Sequence, residues 1–139
     1  MHTHPAMRRQ LQLGLLLLSA ISAQVAWGRE VIQNIESVHF PAGLSAFQIE
    51  KAIVLSGDAR GWVITPLEAG HLLGVLNVRR HTAEVDIHFD AERYSITYRS
   101  SSNLDYKEGK IHPKYNAWIR NLNNDISSAL LHEVYADEP

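Results

Sequence analysis

Apolar positions along this chain change period twice, and each change marks an element. Ile49, Ala52, Ile53 and Ser56 recur at three- and four-residue intervals, the spacing of one helix face. Ser45 and Gln48 stand at capping-box spacing, and Leu44 and Ile49 at the spacing of a hydrophobic staple. With Gly57 and Gly61 read as the stop, the helix is predicted over 46–59. Four segments of period-two patterning follow, over 62–68, 71–80, 83–90 and 93–101. A second helical stripe (Tyr115, Trp118, Ile119, Leu122, Ile126, Ala129, Leu130) predicts a helix over 113–133, with Pro113 in its first turn. Asn116, Arg120, Asn123, Asn124 and Ser127 fall on its other faces.

The strand pattern fixes a trial register. Taking His81-Thr82 and Ala91-Glu92 as two-residue turns, Val78 faces Val85, Leu76 faces Ile87 and Gly74 faces Phe89. On the next hairpin Phe89 faces Tyr94, Ile87 faces Ile96 and Val85 faces Tyr98. The central apolar residues then share one face, and a one-residue slip would reverse them. The opposite face collects Arg79, Glu84 and Arg99 in one row and Asp86 with Thr97 in the next. For 62–68 the pairs Trp62/Ile64 and Val63/Leu67 compete for the inner face. Residues 31–40 are rich in β-branched side chains and read as a strand or extended arm before the turn Pro41-Ala42-Gly43. Residues 100–112 read as a polar loop. The predicted fold is α+β: a two-layer sandwich of an antiparallel four-stranded meander, with a further N-terminal strand from 31–40, packed against two helices on one side.

The start of the chain has a different pattern. Arg8 and Arg9 precede a nearly continuous apolar block over 11–21, and small residues follow up to Ala26-Trp27-Gly28. This is the plan of a secretory signal peptide. The block is shorter than the roughly 20 apolar residues of a membrane-spanning helix. Residues 1–28 are therefore expected to be a cleaved signal, cut after Gly28 or, as second choice, after Ala23. Residues 29–139 are expected to form a single domain without a stable membrane anchor.

Composition narrows the chemistry. Hydrophobic residues make up 45% and charged residues 20% of the chain, which excludes a disordered tail or a polytopic membrane protein. The absence of cysteine excludes a lipidated N-terminus, disulfides, thiolate catalysis and Cys-ligated zinc. After residue 28 there remain 11 Lys and Arg against 15 Asp and Glu, which makes a nucleic-acid partner a poor fit.

Six histidines remain beyond residue 28 (His39, His71, His81, His88, His112, His132), with no pair at i, i+2 or i, i+4 and no HExxH. The reading assigns no metal and no cofactor; the alternative is a cross-strand set of His71, His88 and an acid. No G-x-S-x-G elbow occurs, and a triad of Ser101, His112 and Asp105 exists only on paper. Asp86 and Glu84, beside Arg79 and Arg99, read as a salt-bridge lattice in preference to an acid–base pair. Gly57 to Gly61 follows a helix, whereas a phosphate cradle opens one. The stretch 100–118 is the candidate binding loop. Asn103, Tyr106, His112 and Asn116 combine aromatic contact area with hydrogen-bonding groups.

The runs Ile49-Glu50-Lys51-Ala52-Ile53, Arg60-Gly61-Trp62, Tyr94-Ser95-Ile96-Thr97-Tyr98, Ser101 to Leu104, and Ile111-His112-Pro113-Lys114-Tyr115-Asn116-Ala117-Trp118-Ile119-Arg120-Asn121-Leu122 together carry a resemblance. Over residues 44–126 the chain resembles a family of small exported bacterial proteins, lipoproteins of unknown function among them. The resemblance implies export and supplies no activity, cofactor or catalytic residue. Without a Cys this chain would be free in the periplasm. The expected function is a non-enzymatic binding or accessory domain of the cell envelope, with an envelope protein or small ligand as partner. The alternatives are a small metal-dependent or other hydrolase using loop or sheet histidines, and an assembly factor that pairs through the edge strand at 31–40 or 62–68.

Overall fold

A computed structural model of the chain describes residues 28–136. The predicted signal, apart from Gly28, lies outside the described residues. The elements run β1 (Glu30–Val31), β2 (Ile35–His39), α1 (Ala46–Asp58), β3 (Trp62–Glu68), β4 (His71–Val78), β5 (His81–Phe89), β6 (Arg93–Ser102), β7 (Lys110–Ile111) and α2 (Pro113–Ala136). One antiparallel sheet has the order β2-β6-β5-β4-β3, and β1 pairs with β7 in a two-stranded ribbon. The fold is α+β, with the meander and its added N-terminal strand, which lies beside β6. The apolar stripes of both helices and the inner face of the sheet enter one core, so both helices cover the same face. No helix of the described residues is long and apolar enough to cross a membrane.

Helix α1 begins as the capping box requires. The Ser45 hydroxyl accepts from the Gln48 amide at 3.1 Å, and the Gln48 side chain accepts from the Ser45 amide at 2.9 Å. Its expected stop needs correction. Gly57 is inside the helix and buried, and a Cβ there would lie 2.6 Å from Cγ1 of Ile64. The missing side chain lets α1 lie close on β3, and Gly61, at φ +86°, takes the turn into that strand.

The second hairpin has the predicted register, with Phe89 opposite Tyr94, Ile87 opposite Ile96 and Val85 opposite Tyr98. The first does not. Its turn is Arg79-Arg80, so Val78 faces His81, Leu76 faces Ala83 and Gly74 faces Val85. Arg79 takes a left-handed φ of 56° there. The error spans an even number of positions, so the buried set is unchanged and only the partners move. The competition in β3 resolves with Trp62 and Ile64 inward and Val63 outward.

Residues 100–112 are less loop-like than their polarity suggests. Strand β6 continues to Ser102, β7 occupies Lys110–Ile111, and Leu104 and Ile111 are buried. Helix α2 extends past 133 to Ala136. Asn116, expected on an outer face, is buried among Tyr115, Ile119 and the N-terminal arm.

Gly57→Val should lower unfolding free energy by about 1–3 kcal/mol, because the branched side chain overpacks the α1–β3 contact. Urea denaturation should show this as a lower midpoint with an unchanged slope.

Candidate functional site

The four residues of the candidate loop occupy separate positions. Asn103 sits at φ 58°, donates to the Arg80 carbonyl at 2.7 Å, and its own carbonyl meets His81 Nδ1 at 2.6 Å. It therefore ties the end of β6 to the β4–β5 turn. Tyr106 is half exposed and stacks on Tyr98 with ring centroids 4.6 Å apart. His112 lies at the start of α2, where Nδ1 accepts from the Lys114 amide at 3.1 Å and its own amide donates to Leu104. Asn116 donates to the Val31 carbonyl and to Glu30, both at 3.0 Å, and accepts from the Gln33 amide at 3.0 Å. These bonds strap the N-terminal arm to α2.

His112 approaches His81 (6.3 Å between centroids), and His81 approaches Trp118 (also 6.3 Å), but Tyr106 packs with Tyr98. The paper triad is not assembled: the Ser101 hydroxyl bonds the Tyr98 hydroxyl at 2.8 Å, while His112 Nδ1 is held by Lys114.

A denser constellation lies on the face of the sheet that the described residues leave uncovered. Leu72, Val85, Ile87 and Ile96 point into the core, so the alternating positions point out. Glu68 pairs with His71, His71 with His88, and His88 with Ser95, one row across four strands. The two imidazoles stack at 4.1 Å between centroids and 14° between planes. His71 Nε2 is 2.7 Å from Asp86 Oδ1, and its Nδ1 is 3.6 Å from Glu68. Arg99 donates to the same Asp86 oxygen at 2.9 Å. Burial would raise the Asp86 carboxyl, but the hydrogen bonds and charges of His71 and Arg99 outweigh it and hold it below its ordinary value. Two rows along the same face, beyond Asp86, Glu84 accepts from the Ser100 hydroxyl at 2.6 Å, in a register shifted by a bulge in the β5–β6 pairing. Arg79 stands in the turn, outside the row expected for it.

A cavity of about 280 Å³ opens beside His88, lined by Glu36, Asp90, Arg93 and Ser95 among others. Asp90 is also held below the ordinary carboxylate range, first by the Glu92 amide, which burial opposes, with the amide and charge of Arg93 adding to it. In contrast, burial pushes the Tyr94 phenol up to about 12, which keeps it a neutral hydrogen-bond donor to Asn123.

The sequence offers His71 and His88 with an acid as a set but not as neighbours, because the trial turn places the two histidines out of register, whereas the observed turn pairs them. Glu68 was missed as a member of the row. Comparison with protein-family models, with curated proteins and with solved structures finds no match to this chain.

Two outcomes follow from these contacts. Asn116→Ala should lose about 2–3 kcal/mol, since a buried polar set is left without its partner, and should abolish hydrogen-exchange protection of the Gln33 amide. Asp86 contributes stability that is present above its ordinary value of 3.8 and is lost as pH falls through its lowered folded value. Asp86→Asn should therefore be about 1 kcal/mol less stable than the parent at pH 7, with the gap closing in acid below the ordinary value. Urea titrations across pH measure it.

Proposed function

We propose that this chain is exported to the periplasm and acts there as a non-enzymatic binding domain of the cell envelope, receiving a partner protein on the uncovered face of its sheet. The leader pattern over 1–28 supports export, and the lack of Cys argues against a lipid anchor. One observation carries the binding reading. At β3 and β4 the uncovered face is apolar where alternation would make it polar: Val63 is 64% exposed and pairs with Val75, and Thr65 pairs with Leu73. Leu67, 47% exposed, extends the apolar surface at the edge. A contiguous apolar area beside a charged one is the composition of a protein contact.

The edges of the sheet favour face contact over strand addition. Pro66 and a bulge interrupt β3, and an irregular register interrupts β2. Both devices blunt edge-to-edge pairing. The Ser101 hydroxyl and His112 Nδ1, considered for a hydrolytic triad, are committed to structural hydrogen bonds, which supports binding over that triad.

A photo-activated cross-linker at position 63 should yield a discrete adduct in the periplasmic fraction, one that Leu73→Lys removes. The same cross-linker at Leu131, on α2, should yield none. Recovery of the uncleaved chain in the cytoplasm, or equal adducts at both positions, would overturn the reading.

A further inference from the structure

We propose that His71 and His88 form a two-imidazole chelate for a divalent transition-metal ion, with Asp86 as the residue that positions His71. The two histidines are direct cross-strand partners on adjacent strands, and their rings are in contact at 4.1 Å. Imidazole nitrogen suits zinc, copper and nickel. The roles of the His71 nitrogens follow from Asp86. An ionised carboxylate only accepts, so the 2.7 Å contact makes His71 Nε2 the donor. In the neutral ring Nδ1 is then the bare nitrogen, and it lies on the side of Glu68, 3.6 Å away.

A histidine that gives one N–H to a carboxylate and its other nitrogen to a metal is the arrangement that fixes ring orientation and raises ligand basicity. Here the carboxylate is itself anchored by Arg99 at 2.9 Å, so His71 is held from behind, and its side chain is only 19% exposed.

His88 is exposed, and its ring would have to turn out of the stack for both lone pairs to converge on one ion. Glu68, with 78% of its side chain exposed, stands next in the row and can add an oxygen; water completes the shell. Among the described residues no group of three or more histidines and acids is already placed to hold an ion. Such a site closes on the metal and binds it more weakly than a structural zinc centre.

The test is calorimetric titration of the chelator-stripped full chain with Zn²⁺ at pH 7.5. His2→Ala and His4→Ala are present in every sample, to silence the leader's own histidines. One ion per chain should bind. His88→Ala should weaken binding at least about tenfold while leaving circular dichroism unchanged, and His71→Ala should do the same. Asp86→Asn should weaken it roughly 10–100-fold, whereas His112→Ala should leave it unaltered. Absence of binding, or binding that His88→Ala and His71→Ala leave unchanged, would overturn the proposal.

Discussion

The aliphatic row Leu72, Ile87 and Ile96 is the contact on which the rest of the molecule depends. Ile87 on β5 partners Leu72 of β4 on one side and Ile96 of β6 on the other, and each is almost wholly buried. Ile35 of β2 extends the row on the far side. Because side chains alternate along a strand, fixing these positions inward fixes His71, Asp86, His88 and Thr97 outward. Burial of each large aliphatic side chain contributes about 1.5–3 kcal/mol. The exposed row of charges and imidazoles is thus arranged by a core it does not touch.

Legibility in the sequence followed the reach of the interactions. The hairpin between β5 and β6 was read correctly because its turn is local: Asp90 accepts from the Glu92 and Arg93 amides, so the chain reverses within two residues. The hairpin between β4 and β5 was not, because Arg79-Arg80 carries no turn signature. Its closure is secured from a distance, by Asn103 on the Arg80 carbonyl and His81 on the Asn103 carbonyl. No local rule reveals a tie across more than 20 residues of chain. Buried residues were legible through both hairpins because an even shift conserves the face. Cross-strand neighbours were legible through only one.

The same distinction separates the candidate residues. Asn116 reads as a surface residue by periodicity, and only the arrival of residues 30–33 converts it into a buried strap. Tyr115 and Ile119 follow the helical period and reach the core as expected. Gly57 shows the converse. Its type suggested a helix end, but the deciding constraint is the approach of Ile64 from the next strand. In each case a polar or small residue was assigned by local habit, and a partner distant in sequence or across a layer decided its role.

The strap has a consequence for the order of assembly. The Asn116 bonds join segments 83, 85 and 86 residues apart, and β2 likewise waits for β6. A chain emerging N-terminus first presents Ile32, Ile35 and Val38 long before their partners exist. Contacts of such sequence separation slow the search for the native state, and the interim species are prone to association. The opening strands therefore stay without their partners until β6 and the last helix have formed.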